Sequence, residues 1–452
     1  MTRNGTTRRN VLRSGAGVVA AGTLAAPMVH AQGTAGALRF AFWDHWVPGG
    51  NDALKELAAK WGEQKRVNVS LDFINTTGNQ LQLTAAAQAQ SRSGHDGISL
   101  TPWDVGAYSQ QLEPVDDVIG RLVGKYGPIN PVAEFLCKHG GKWRGVPATS
   151  GTQNKPACVR FDLMLEHAGI DVRAMWPANN TRGPGADNWT WETFTVAAEK
   201  CFKAGVPFGL PMGQFSDAVD WVGALFAGYG AQITDATGKP TIRGNAKLKT
   251  AIELGVRLSR FLPSDVWAWD DASNNRALIG GKSALVFNPP SAWAVAKRDA
   301  PQVAEKCWTI PMPAGPEGRY LAYLPFTTGV WAFGRNKTAA KEFLEFITQR
   351  ESAEAITNKS GGYDIPPFAS MTDFKVWETT SPPVGTIYNY PLKPHHQAKT
   401  SIAFDPAPPE LASQMYIQAL NTKVIARVAQ GGETVDQAMG WLEREITNMR
   451  RG

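Results

Sequence analysis

Two short runs carry the residue types best suited to holding a small molecule. Trp43-Asp44-His45-Trp46 follows the apolar segment Leu38–Phe42, and Trp103-Asp104 follows Gly97–Leu100 after Thr101-Pro102. Tryptophan offers a large flat apolar face with one N–H donor at its rim. An aspartate beside it accepts strongly from hydroxyls or amines because it is charged. That combination suits a guest with an apolar face and a rim of hydroxyls, which must regain in the site the hydrogen bonds it gives up in water. Anionic guests are disfavoured, since neither Arg nor Lys occurs in Trp43–Asn51 or Thr101–Ser109. Two other readings stay open. Sixteen tryptophans suffice for a large aromatic core with no ligand at all, and tryptophan faces also attract cations, so an aromatic or amine compound is an alternative cargo.

The same acids raise the question of catalysis. Asp44, Asp104, Asp217, Asp220, Asp270 and Asp271 supply carboxylates, and an exported glycan-active enzyme would use two of them facing each other across a glycosidic bond. Spacing alone does not set such a pair opposite one another. The sequence contains no Gly-x-Ser-x-Gly elbow, no His-Glu-x-x-His and no Gly-x-x-x-x-Gly-Lys-Ser/Thr loop, and each of those would bring a defined chemistry with it. The histidines are too scattered for metal ligation. We expect no catalytic residue, no cofactor and no metal.

Both Trp–Asp runs sit where a strand ends. Leu38–Trp43 reads as a strand, and Asn51–Gln64 as a helix with Leu54, Leu57, Ala58 and Trp61 on one face, capped by Asn51 or Asp52. Val67–Phe73 alternates as a second strand; a helix over Asn79–Gln90 and a strand over Gly97–Leu100 follow. Strand–helix–strand order implies a parallel sheet, and ligands of open α/β sheets bind beyond the carboxyl ends of the strands. Further along, Thr190 with Thr193 and Glu192 marks a capped helix start. Helices are expected near 217–229, 245–261 and 337–349, and strands over 283–287 and 328–333.

The first 31 residues address the chain. Arg8-Arg9 precede a mildly apolar stretch from Ala16 to Met28 that closes on Val29-His30-Ala31. This is the pattern of a bacterial twin-arginine export signal cleaved after Ala31, and the stretch falls short of the roughly 20 apolar residues that span a bilayer. The leader holds four arginines and no acid, so the formal charge of +6 falls by four to +2 in the mature chain. Nucleic-acid binding is therefore not expected. About 420 mature residues exceed what one core usually organises, so two lobes are expected. Cys137, Cys158, Cys201 and Cys307 are widely spaced; buried free thiols and one or two bridges both remain open.

Several segments, in order, resemble the family 1 extracellular solute-binding proteins of ABC importers. They are Gly141-Lys142-Trp143-Arg144-Gly145-Val146-Pro147, Arg160 to Ile170, Asn188-Trp189-Thr190-Trp191-Glu192-Thr193-Phe194, Gly280–Phe287 leading into Asn288-Pro289-Pro290, Thr338 to Leu344, and Gly431 to Ala438. The resemblance implies an α/β, two-lobed periplasmic-binding-protein fold (type II), its ligand cleft between lobes joined by three crossovers. Residues 32–148 plus 308–364 would form lobe 1 and 149–307 plus 365–452 lobe 2, with crossings near Pro147–Gln153, Cys307–Pro311 and Gly362–Pro367. It further implies a monomeric periplasmic receptor for a mono- or oligosaccharide or polyol, docking on an inner-membrane ABC permease. The positions matching sugar-contacting aromatics and acids are Trp43, Asp44, Trp46, Trp103, Asp104, Asn288 and Trp293, with Trp269, Trp331 and Tyr363 as looser matches. His45-Trp46 and Asn288-Pro289-Pro290-Ser291 depart from the maltodextrin pattern, so maltose specificity is not carried over.

Overall fold

Among the described residues the chain builds a five-stranded and a three-stranded sheet, each with its own helices, and two two-stranded ladders, in a computed structural model that describes residues 36–177, 182–380, 399 and 401–451. The expected leader lies outside these residues. The first sheet has five strands. β1 (Ala37–Trp43) lies parallel to both β2 (Asn68–Ile74) and β3 (Gly97–Leu100). The strand Thr327–Val330 runs antiparallel to β3, and Val146–Pro147 closes the far edge. Leu38, Phe40 and Phe42 of β1 are buried with Ala53, Leu54, Leu57, Ala58 and Trp61 of α1 (Pro48–Lys65). That apolar stripe at helical spacing is what fixes α1 on the sheet.

Helix α1 begins three residues earlier than its sequence suggests, because proline is tolerated in a first helical turn. Asn51 is consequently inside the helix and does not cap it. Its side chain instead accepts from the His45 amide at 3.0 Å and donates to Asp44 at 2.6 Å, pinning the loop after β1.

The second sheet is antiparallel, with Cys307–Ile310, Ala157–Arg160 and Leu285–Val286 in that order. Helices Trp191–Lys203, Ser216–Tyr229, Ala246–Ser259, Leu420–Ala429 and Val435–Met449 belong to the same body. Its centre is aromatic: Trp191 meets Phe194 edge-on at 5.4 Å, and Phe194 stacks on Phe287 at 5.3 Å. Thr190 caps its helix as expected, but Thr193 rather than Glu192 closes the box. All four cysteines are buried free thiols, with Cys158 and Cys307 on adjacent strands and Cys307 donating to the Val303 carbonyl at 3.3 Å.

Two of the expected crossings fall elsewhere. Cys307–Ile310 is fully paired with Ala157–Arg160, so the return to the first sheet comes later, through Tyr323–Leu324, which pairs antiparallel with Gln153–Asn154 of the outward crossing. The residues after Tyr363 also remain with the first sheet's helices. Asn130 donates to the Pro367 carbonyl at 2.9 Å, Phe368 packs on Tyr126, and Arg350 binds Asp373 at 2.5 Å. The reason is a buried stripe, Phe368, Met371, Phe374 and Trp377, which needs that surface. By 421 the chain is on the second body, where Asn421 donates to the Val219 carbonyl at 2.8 Å. The third passage thus does not fall at Gly362–Pro367.

Candidate functional site

A cavity of about 790 Å³ opens at the carboxyl ends of β1 and β3 and is closed from the other side by the second body. The first body contributes Trp43, Trp46, Thr76, Trp103, Asp104 and Tyr108. The second contributes Asp217, Trp267, Trp269, Asp270, Asp271 and Asn288, and the crossing strand brings Gln153 and Lys155.

Each wall residue is held by its own local structure. Asp104 accepts from the Thr101 amide at 3.2 Å and the Thr101 hydroxyl at 2.5 Å, and burial pushes its pKa up to about 6. Trp103 stacks on Tyr416 of helix Pro409–Ile417, with centroids 4.0 Å apart. Trp267 and Trp269 are half-buried beside Asp270, which accepts from Ser273 at 2.6 Å and pairs with Arg276 at 2.8 Å. Asp271 lines the cavity together with Thr76 of the opposite body, and burial raises its pKa.

Beneath these lies a buried charge cluster. Asp217 and Asp220 share one face of helix Ser216–Tyr229, and the Lys155 ammonium donates to both, at 3.1 Å to Asp220 and closer to Asp217. The second oxygen of Asp217 accepts from Asn274 at 2.8 Å and Asn288 at 3.4 Å; that of Asp220 accepts from the Tyr416 hydroxyl at 2.8 Å. Burial works against charge on Lys155, but the two carboxylates outweigh it and hold its pKa above the ordinary value. For Asp220 burial wins, and its pKa is pushed up to about 6. Lys155 and Tyr416 escaped the sequence reading. The available signals were a lone lysine between apolar strands and two aspartates three apart, a spacing that brings side chains together on a helix.

Of the ten residues expected at the site, Trp43, Trp46, Trp103, Asp104, Trp269 and Asn288 line this cavity. Trp43 is only 3% exposed and packs on His45, Phe326 and Tyr363. Asp44 faces away, as alternation along a strand requires, into a smaller hollow with Asn51, Asn75 and Arg298. Trp293 lies one helical turn beyond Asn288, which carries it to a separate hollow of about 360 Å³ shared with Trp46, Lys297 and Tyr363. Tyr363 is almost wholly buried, and its hydroxyl donates to Gln153 at 3.1 Å. Trp331 belongs to the core: it is 0% exposed, stacks on Phe333 and donates to Gln88 at 3.0 Å. Its strand is antiparallel to β3 and ends opposite Gly97, so Trp331 leaves the sheet at the edge away from the cavity.

A cleft of indoles and carboxylates between two sheet-based lobes is a site of the size and lining that hold a small molecule. Residues 56–382 match the family model described as bacterial extracellular solute-binding protein, and the chain belongs to that family. It is similar to a probable ABC transporter-binding protein of Deinococcus radiodurans, 24% identical over 141 residues, 30% of this chain and 32% of that protein. The match thus spans about a third of that relative's length. The fold is similar to maltose-bound T. maritima MalE3, with a TM-score of 0.70 and 17% identity over 91% of this chain and 99% of that one. It is also similar to a solute-binding protein from Agrobacterium radiobacter K84 in complex with ribitol, with a TM-score of 0.68 and 16% identity over 91% and 98% of the two chains.

Proposed function

We propose that this protein is the solute receptor of an ABC importer, exported by the twin-arginine route and acting as a monomer in the periplasm. Its guest is a hydroxyl-rich molecule, a mono- or oligosaccharide or a polyol. The observation that carries this reading is the cavity itself: Trp46, Trp267 and Trp269 provide flat apolar faces, and Asp104 and Asp271 provide acceptors around them. The similar folds that hold maltose and ribitol support it. Lobe 1 comprises residues 36–148 plus about 325–380, and lobe 2 comprises 156–322 plus 401–451, as the paired strands and buried stripes suggest. A guest touching both lobes favours the closed form, which docks on the inner-membrane permease. No bond is made or broken: Asp217 and Asp220 are bound to one ammonium rather than set across an open gap.

The test is a thermal-shift screen of the mature protein over sugars, polyols and aromatic acids, followed by calorimetry and product analysis. A hit held at 100 times its Kd adds about 2.7 kcal/mol of stability, which a melting curve resolves. Saturable binding without turnover is the expected result. Hydrolysis of a bound glycan would overturn the proposal, and so would a stabilising ligand whose affinity is unaffected by Trp269→Ala.

A further inference from the structure

The cavity wall carries more negative charge than a neutral guest can use. Four carboxylates line it, Asp104, Asp217, Asp270 and Asp271, against a single cation, Lys155. Lys155 is already engaged by Asp217 and Asp220, and Asp270 is paired with Arg276 outside the cavity. Asp104 and Asp271 make no ion pair among the described residues, and Asp104 accepts only from Thr101 of the first lobe. Asn288 adds an independent sign. It is 4% exposed, its Nδ2 is turned to Asp217, and its Oδ1 has no hydrogen-bond partner. Asn288 is a lining residue, so an acceptor without a donor lies in the cavity wall.

A hydroxyl can donate to such groups but leaves their charge uncompensated as the lobes shut out water, and uncompensated buried charge is costly. An ammonium supplies donors and countercharge together, and indole faces attract it further. We propose that the cavity selects a solute bearing a protonated amine beside its hydroxyls, an amino sugar or amino polyol, with the ammonium on the wall formed by Asp217, Asp271 and Asn288. The proposal rests on the cavity being the solute site. The raised pKa values of Asp104, about 6, and of Asp271 agree with carboxylates awaiting a partner.

The experiment is calorimetry at pH 7.5 on the mature protein with three matched series: glucose, glucosamine and N-acetylglucosamine; the galactose equivalents; and the β-1,4-linked dimers of the glucose series. The amine should bind about tenfold more tightly than its hydroxyl and N-acetyl counterparts, the difference between a charge-assisted and a neutral hydrogen bond. In Asp271→Asn that amine-to-hydroxyl ratio should collapse towards one. A neutral member binding as well as the amine overturns the proposal, as does absence of amine binding in all series. The broader reading is judged separately. A neutral sugar whose binding is lost in Trp269→Ala leaves the cavity as the solute site, whereas binding indifferent to that change removes both.

Discussion

Replacing Lys155 with methionine tests the charge cluster at its centre. Methionine matches the length of the lysine stem but removes the ammonium that Asp217 and Asp220 share, leaving two carboxylates that are 4% and 1% exposed without their cation. Breaking a buried pair by deleting one partner costs roughly 3–5 kcal/mol, and at about 2 °C per kcal/mol for a large domain the melting temperature should fall by roughly 6–10 °C at pH 8. The loss should depend on pH with a definite sign. Asp220 already has a folded-state pKa of about 6, above the ordinary 3.8. A raised carboxyl contributes stability that is complete below pH 4 and is lost as pH rises through 6, worth about 3 kcal/mol over that span. Without Lys155 its pKa rises further. At pH 5 Asp220 is protonated in both proteins and the deficit narrows; at pH 8 it is charged in the wild type and strained in the variant, and the deficit is full. Circular dichroism melts of the two proteins from pH 5 to 8 measure this difference directly. A deficit that is the same at both ends, or no deficit at pH 8, would refute the electrostatic account.

Two further perturbations separate support from contact. His45 donates from Nε2 to both oxygens of Asp364 at 3.0 Å, its Nδ1 being taken by the Val47 amide, and Asp364 also accepts from the Gly151 amide at 2.8 Å. His45→Ala strands that buried carboxylate beside the outward crossing and should cost about 3 kcal/mol, read as a lowered urea midpoint; an unchanged midpoint would count against it. Trp269→Ala should weaken solute binding by roughly 1–3 kcal/mol with little change in melting. Trp331→Ala should do the opposite, costing about 3–5 kcal/mol of stability while calorimetry finds the same Kd in whatever protein remains folded.

The strands and helices were legible wherever the apolar pattern had one period over enough residues. β1 to β3, α1 and the helices near 191–203, 216–229 and 337–348 fall within about three residues of their sequence-based bounds. The site was legible only in part, because a strand end says which edge of a sheet a residue reaches only when the strand's direction is known. Trp103 and Trp331 both follow strands, but β3 and Thr327–Val330 run in opposite directions, so one tryptophan meets the cavity and the other the core. The third crossing was misplaced for a different reason. Glycine and proline near 362–367 suit a hinge, but the next fifteen residues carry Phe368, Met371, Phe374 and Trp377, whose burial is worth more than an early exit. Lys155 was invisible because its two partners lie more than 60 positions downstream.

The placement of the acids also bears on what the fold would otherwise attract. In an open α/β sheet the helices that follow the strands start at the same edge where ligands bind, and their positive N-terminal ends commonly draw anions. Here the chain answers those ends with its own carboxylates. Asp104 opens the short helix after β3, Asp217 stands in the first turn of Ser216–Tyr229, and Asp270 accepts from the Ala272 amide at 3.2 Å just before Ser273–Ile279. An anionic solute would meet fixed carboxylates at each site where a bare helix end would have welcomed it. The same three positions line the cavity. On the proposed reading, selection against anions and selection for donor-rich or cationic guests would be a single consequence of where these aspartates sit in their helices.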